Sequence, residues 1–124
     1  MAIQTKINRV KTPTKRCDSI MNSFVKMLEN KDFIKNRSLS YYSSQLSITP
    51  HYLSEISKKL TGYTARHWID SYIVNEINKL LKIDNLTISQ IADMLQFSSI
   101  QHLSYYIKKH TGKSPSKNRL KELK

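Results

Sequence analysis

The chain contains an internal repeat, and this repeat constrains the fold more than any other feature. With an offset of 50 residues, six of ten aligned positions are identical: Leu53-Ser54 with Leu103-Ser104, Lys58-Lys59 with Lys108-Lys109, and Thr61-Gly62 with Thr111-Gly112. Upstream the offset becomes 49, and the aligned pairs are Ser43 with Ala92, Leu46 with Leu95, Ile48 with Phe97 and Thr49 with Ser98. The repeat therefore predicts two copies of one local structure, with one extra residue in the turn of the second copy.

Each copy is predicted to form a short helix, a tight turn and a longer helix. Ser and Thr favour helix starts, proline favours the first helical position, and glycine favours the residue after a helix end. These signals are Ser40, Thr49, Pro50 and Gly62 in the first copy, and Thr87, Ser98 and Gly112 in the second. Two helices joined by three or four residues are typical of a helix-turn-helix motif. We predict such motifs over about residues 40–62 and 87–112.

The segments around the repeat are also predicted to be helical or irregular. Between the motifs, Thr64 begins an apolar pattern of helical period that continues to about Ile83, which predicts a linking helix over residues 64–83. Roughly 19 residues at 1.5 Å each span about 28 Å, which is comparable to the ~34 Å between successive major-groove segments on one face of DNA. Before the motifs we predict a flexible basic arm over residues 1–17 and a linker helix over residues 18–37 that is capped by Asp18.

Strand-like alternation is missing after Arg37. We therefore expect an all-α fold, in which two homeodomain-like helix-turn-helix subdomains are joined by the linking helix and preceded by an extra N-terminal helix. The remaining residues 120–124 are predicted to be a short C-terminal tail. The length of 124 residues fits one ordinary domain.

The composition indicates a polyanionic partner and excludes several classes of protein. The formal net charge is +12, and residues 1–37 carry nine basic and three acidic side chains. Two glycines are too few for a phosphate-binding loop, and one cysteine provides neither a disulfide nor a cysteine-based zinc site. Four histidines without metal-ligand spacing predict no metal site and no cofactor. No signal peptide or membrane span is predicted, so we expect a cytoplasmic protein. Because the sequence shows no catalytic or metal-binding constellation, we also expect that it is not an enzyme.

The sequence resembles the C-terminal DNA-binding domain of the AraC/XylS transcriptional regulators. The similar segments are TPHYLSEISKKLTGYTARHWIDSYIV and LTISQIADMLQFSSIQHLSYYIKKHTGKSPSKNR, within about residues 38–119. The resemblance implies a bacterial regulator, more commonly an activator, whose two recognition helices read consecutive major-groove segments of double-stranded promoter or operator DNA. It also implies contact with RNA polymerase, a position at the nucleoid, and an N-terminal effector or dimerisation domain in the full-length protein.

Two turns depart from the family pattern. Ser47 and Gln96 stand where the family often has glycine, and a non-glycine residue in a left-handed turn costs on the order of 1 kcal/mol. In the second unit, Leu103 and Ile107 replace aromatic anchors of the family. These changes concern the core rather than the function.

The residues that would read DNA bases follow from helical exposure and from the resemblance. On the first reading helix the outward N-terminal positions are His51, Tyr52, Ser54 and Glu55. The family's base-reading positions fall on His51, Ser54, Glu55, Gln101, His102 and Tyr105. Glutamine can bond bidentately to adenine, glutamate can accept from cytosine N4, and histidine can donate to guanine or pack on a thymine methyl. Plain surface exposure is the alternative, and Tyr52 and Tyr106 are predicted to pack instead.

Phosphate contacts position a protein on DNA without reading its sequence. The predicted contacts are Thr49, Lys58, Lys59, Ser98, Lys108, Lys109 and Lys113. For the lysine pairs a solvated charged face is an equal alternative, and Arg119 is expected to brace the last helix rather than touch DNA. For the whole chain, the alternative functions are a nonspecific architectural DNA binder and a protein-interaction module on the same scaffold.

Overall fold

The computed structural model describes residues 15–112, and this range is helical without a strand. The helices are α1 (Lys15–Glu29), a 3-10 helix (Asp32–Ile34), α2 (Leu39–Gln45), α3 (Pro50–Thr61), α4 (Ala65–Leu81), α5 (Ile88–Met94) and α6 (Ile100–Thr111). The predicted all-α architecture is confirmed. The chain divides into two compact units, one that ends at Ile69 and one that begins at Asp70, so α4 contributes residues to both.

The first unit packs α2 and α3 against α1. Apolar side chains recur on one face of α1, where Met21, Phe24, Val25 and Leu28 are fully buried. The ring of Phe24 meets the ring of Tyr42 on α2 edge to face, with 5.4 Å between the ring centroids. From α3 the stripe of Leu53, Ile56 and Leu60 completes this core. Each helix therefore buries the stripe that its period predicts.

Tyr42 is the largest fully buried side chain of the core. Its hydroxyl has no hydrogen-bond partner among residues 15–112. Burial raises the pKa of Tyr42 above its ordinary value, and the carboxylate of Asp32 raises it further. The pKa of the neighbouring Tyr41 is raised by the same two causes. The protonated form of Tyr42 is therefore favoured by folding.

The cap of α2 differs from the prediction. Ser38, and not Ser40, is the N-cap, because its side chain accepts a hydrogen bond from the backbone N–H of Tyr41. At the start of α3 the prediction is confirmed, since Thr49 accepts from the N–H of Tyr52 and Pro50 follows at the first helical position. Gly62 ends α3 with φ 86°, a left-handed conformation that glycine adopts without the steric penalty of a side chain.

A hydrogen-bond network joins the end of α3 to the start of α4 within the first unit. The indole Nε1 of Trp68 donates to Oγ1 of Thr61 over 2.9 Å. The hydroxyl of Ser57 donates to the carbonyl of Tyr63 over 2.7 Å. Thr64 begins α4 as predicted, and its hydroxyl accepts from the N–H of His67. The hydroxyl of Thr61 donates in turn to the carbonyl of Ser57 over 2.7 Å. Since both of these hydroxyls and the indole N–H have acceptors, this corner can be buried without leaving these donors unpaired.

The second unit repeats the helix pair with α5 and α6. Thr87 and Gln90 form a capping box at the start of α5, in which each side chain accepts from the backbone N–H of the other residue. The core includes Ile91, Ala92, Leu95, Phe97, Leu103 and Ile107. Gly112 ends α6 with φ 78°, as Gly62 does in the first copy.

The cap of α6 is Ser99 and not Ser98, which corrects the prediction. The side chain of Ser99 accepts from the N–H of His102 over 3.0 Å. The extra residue of the second copy lies at this point, because α3 and α6 both span 12 residues and begin 50 residues apart at Pro50 and Ile100. The reading helices are thus in the same register, and only the turn before them differs.

The first helix of each motif ends in the same way in both copies, and the extra residue of the second copy follows this helix end. Ser47 and Gln96 both have φ 58°, which confirms the left-handed conformation expected for them. Ile48 N–H donates to the carbonyl of Ser43, and Phe97 N–H donates to the carbonyl of Ala92. These bonds span five residues and form the Schellman type of helix end. Two side-chain-bearing residues therefore occupy positions that glycine would fill with less strain.

The structure also corrects the N-terminal boundaries. Helix α1 begins at Lys15, so the last three residues of the arm predicted over 1–17 are helical. Asp18 is not the N-cap but lies in the first turn of α1. A carboxylate in the first turn is favoured by the positive end of the helix dipole. The linking helix α4 ends at Leu81, two residues before its predicted end at residue 83. Residues 1–14 and 113–124 lie outside the described range, and within it no helix is long and apolar enough to span a membrane.

Candidate nucleic-acid interface

Helix α3 exposes the predicted reading residues of the first unit. His51 and Glu55 are exposed, and Ser54 is half-buried beside them. Nε2 of His51 lies 2.9 Å from Oε1 of Glu55, one turn further along the helix. Leu53 and Ile56 point into the core from the opposite face. The structure therefore brings all three predicted base-reading residues of this unit onto one outward surface.

An open groove extends this surface toward the C-terminal end of α3. Its lining consists of His51, Ser54, Glu55, Lys58, Lys59 and Thr64. Two ammonium groups thus stand beside one carboxylate and several hydroxyl or ring groups. Such a mixture of donors and acceptors can bond both to phosphate oxygens and to base edges.

Helix α6 exposes the corresponding residues of the second unit. Leu103 and Ile107 are fully buried, whereas Gln101 and His102 are exposed on the opposite face. Tyr105 has 66% of its surface exposed, which is unusual for a large aromatic side chain. The predicted reading residues of this unit also lie together on one outward surface.

His102 is held by its neighbours rather than projecting freely. Its Nδ1 lies 3.1 Å from Oγ of Ser98, and its ring meets the edge of Phe97 with 5.0 Å between the ring centroids. Ser98, which was expected to cap the helix, orients this imidazole instead. The hydroxyl of Ser98 remains exposed at the start of the motif's second helix.

The predicted phosphate-binding lysines lie in the last turns of the reading helices. Lys58 and Lys59 end α3, Lys108 and Lys109 end α6, and all four side chains are exposed. Cations at this position also interact favourably with the negative end of the helix dipole. The solvated-face alternative therefore stays open for these residues, and Lys113 lies outside the described range.

One contact behind the second reading surface was not predicted. The hydroxyl of Tyr106 donates to Oδ1 of Asp70 over 2.6 Å. The rings of Tyr106 and His110 are tilted against each other with 4.5 Å between their centroids. Packing of Tyr106 was predicted, but its partner lies 36 residues away in the sequence and has no local signal. Tyr52, for which packing is also predicted, keeps 37% of its surface exposed.

The described residues contain no cluster of three or more His, Cys, Asp or Glu side chains that could hold a metal ion. The two exposed helix faces resemble a duplicated helix-turn-helix arrangement. In each unit the second helix buries one apolar face in the core and exposes the opposite face to solvent. The class defined by the fold is therefore a domain with two helix-turn-helix units.

Comparison with known proteins identifies the family. Residues 42–121 match the family model described as a helix-turn-helix domain, and this match covers well over half of the chain. The chain therefore belongs to the AraC-type helix-turn-helix family. No curated protein matches the sequence.

A solved structure supports the fold. The crystal structure of the DNA-binding domain of AdpA, the global transcriptional factor, in complex with a target DNA, matches with a TM-score of 0.65 and 16% sequence identity. The match covers 86% of this chain and 92% of that one. At this identity the likeness concerns the fold alone, and it agrees with the two-unit helical architecture described above.

Proposed function

We propose that the chain binds double-stranded DNA sequence-specifically, as the DNA-binding domain of an AraC-type transcription regulator. The observation that carries this proposal is the pair of twelve-residue helices α3 and α6, each with a buried apolar stripe and an exposed polar face at its N-terminal half. Helix-turn-helix proteins place this part of the second helix in the major groove. The formal charge of +12 supports a polyanionic partner.

The base contacts proposed for α3 are made by His51, Ser54 and Glu55, and those for α6 by Gln101, His102 and Tyr105. Phosphate contacts are proposed for Thr49, Ser98 and the four lysines at the helix ends, which are Lys58, Lys59, Lys108 and Lys109. In this arrangement the two units occupy consecutive major-groove segments of an asymmetric site. The crystallised AdpA domain is in complex with a target DNA, which supports DNA as the partner proposed here.

The regulatory role proposed is that of a bacterial activator that acts at promoters in contact with RNA polymerase. Family membership and the resemblance to AraC/XylS regulators support this role. Such a protein works on the nucleoid in the cytoplasm. No catalytic step or cofactor forms part of the proposal.

The experiment is a selection of random double-stranded DNA with the purified chain, followed by affinity measurements near 0.15 M salt. We expect a site with two short boxes about one helical turn apart, bound at least ~10³-fold more tightly than scrambled DNA. Equal, salt-sensitive affinity for every sequence would instead identify a nonspecific architectural binder. Absence of DNA binding would favour the protein-interaction module.

A second experiment tests the basic arm, for which we propose phosphate attraction or minor-groove insertion. Because α1 begins at Lys15, the deletion should remove residues 1–14 and leave the helix intact. We expect weaker binding to specific and scrambled DNA alike, with a shallower dependence on salt. Unchanged affinity and salt dependence would show that the arm takes no part in binding.

A further inference from the structure

The two reading helices carry chemically different side chains at equivalent positions. Both helices have 12 residues, and both end at a left-handed glycine, Gly62 or Gly112. With the offset of 50 residues that separates their starts, His51 corresponds to Gln101 and Glu55 corresponds to Tyr105. Each pair is spaced by four residues and therefore lies on one face of its helix. The base at equivalent positions of the two units is thus contacted by different chemical groups.

The pair on α3 places an imidazole beside a carboxylate and presents an acceptor. The ring of His51 approaches the carboxylate of Glu55 to 2.9 Å, and this contact orients the carboxylate on the exposed face. A carboxylate only accepts hydrogen bonds, so it is repelled by the acceptor atoms of guanine and by O4 of thymine. Cytosine presents its N4 donor in the major groove without an acceptor on the same base, whereas adenine places N7 beside its N6 donor. Cytosine is therefore the base that fits Glu55 best.

The pair on α6 is uncharged and partly apolar. The amide of Gln101 carries a donor and an acceptor, which match N7 and N6 of adenine in a bidentate contact. Tyr105, the most exposed of the large hydrophobic side chains described, offers the face or edge of its ring one turn further along. In the major groove the apolar group available to such a ring is the C5-methyl of thymine. This pair therefore fits A·T base pairs.

We propose that the two units read unlike boxes, one with a cytosine whose N4 donates a hydrogen bond to Glu55 and one with A·T pairs that contact Gln101 and Tyr105. His51 acts as a positioning residue for Glu55. The inference rests on the proposed sequence-specific function and extends it to the bases that each unit prefers.

The test transfers the second pair onto the first helix. The double variant His51→Gln with Glu55→Tyr gives α3 the reading pair of α6, and both positions are exposed, so the core is unaffected. Selection from random DNA should return a cytosine-containing box and an A·T box for the natural sequence, and two A·T boxes for the variant. Asp93→Asn, which removes one exposed negative charge from α5, is the matched control and should leave both boxes unchanged.

Single-base measurements separate the roles within the first pair. On the selected site, replacement of the cytosine should weaken binding by about tenfold for the natural sequence and have little effect on the Glu55→Ala variant, which lacks the accepting oxygen. His51→Gln should reduce this preference for cytosine without reducing the preference for the A·T box. A purely structural role of His51 would weaken binding to both boxes equally.

A measurement on the natural chain avoids dependence on any variant. Deoxyuridine in place of thymine removes only the C5-methyl group, so it should weaken binding severalfold in the A·T box. Two identical boxes, or boxes unchanged in the double variant, would overturn the inference while leaving sequence-specific binding intact. Absence of any selected sequence would overturn the proposed function itself, and the inference with it.

Discussion

The hydroxyl of Tyr106 donates a 2.6 Å hydrogen bond to Oδ1 of Asp70 and thereby joins the reading helix α6 to α4 within the second unit. The other carboxylate oxygen, Oδ2, lies 3.9 Å from Nε2 of His110. A short bond to a carboxylate is charge-assisted and is stronger than a bond between neutral groups. The second unit therefore holds the middle of α6 by one polar contact in addition to its apolar stripe.

Removal of this bond should destabilise the second unit. We expect Tyr106→Phe to lower the free energy of unfolding by about 1–2 kcal/mol, since a partly buried carboxylate loses its donor. Denaturation by urea, followed by circular dichroism, measures this change. Tyr105→Phe is the matched control, because it removes a hydroxyl from an exposed ring on the same helix and should change stability by less than about 0.5 kcal/mol. Equal stability of both variants would show that the bond contributes nothing.

The left-handed turn of the first motif offers a stabilising substitution. Ser47 has φ 58°, so we expect Ser47→Gly to relieve backbone strain. Because glycine also increases the entropy of the unfolded chain, the net rise in the free energy of unfolding should be about 0.5 kcal/mol. Gly62→Ala is the opposite change at φ 86° and should lower it by about 1 kcal/mol. A Cβ added at Gly62 meets no other part of the protein within 4 Å, so this loss would come from the local left-handed backbone and not from a clash with packed neighbours. Thermal melts measure both changes, and a destabilised Ser47→Gly would contradict the assignment of strain.

Tyr42 should make stability fall at alkaline pH. Its pKa is raised in the folded state by burial and by Asp32, so the unfolded chain releases the proton first, near its ordinary pKa of about 10. The stabilisation is fully present below that pH and decreases above it, by up to about 1.4 kcal/mol for each pH unit. Urea denaturation between about pH 8 and pH 11 should show this decrease.

The variant Tyr42→Phe isolates the contribution of this hydroxyl. We expect a shallower decrease of stability above about pH 10, with a remainder from groups such as Tyr41, whose pKa is also raised. At neutral pH the variant should be as stable as the natural chain or slightly more so, because the Tyr42 hydroxyl has no hydrogen-bond partner in the described part of the chain. The same alkaline slope in both proteins would refute the role of Tyr42.

The lysines at the end of α3 should contribute to the salt dependence of DNA binding. If each contacts one phosphate, Lys58→Gln and Lys59→Gln should each reduce the slope of log affinity against log salt by about 0.9. Lys79→Gln is the control, because the ammonium of Lys79 lies 3.7 Å from Glu76 on its own helix. Titrations at several salt concentrations measure the slopes, and three equal slopes would favour the solvated-face interpretation of Lys58 and Lys59.

Local chemistry explains which parts of the fold could be predicted from sequence. Thr49, Thr87, Gly62 and Gly112 were placed correctly at helix ends, because a cap is decided by the residue and its next few neighbours. The prediction of Ser40 and Ser98 as N-caps is wrong, because another serine, Ser38 or Ser99, lies close by and caps the helix. Two hydroxyls of equal cap propensity are distinguished only by where tertiary packing places the first helical turn.

The exposed reading faces could also be predicted, since the apolar period fixes which side of α3 and α6 is buried. The contact between His51 and Glu55 follows from their spacing of four residues on a helix. In contrast, the bond between Tyr106 and Asp70 connects positions far apart in the chain. No periodicity or motif specifies such a partner, because it depends on how α6 packs against α4.

The seven-residue helices α2 and α5 have a consequence for how the chain folds. Isolated helices below about 12–15 residues are marginal in water, and the twelve-residue reading helices lie only at the lower end of this range. Each reading helix is therefore stable only when it packs against its short partner helix, α2 or α5, which is itself not stable in isolation. A peptide copied from residues 50–61 would be mostly random coil. Reprogramming of specificity therefore has to be done within the intact unit, by exchange of exposed side chains on an unchanged core.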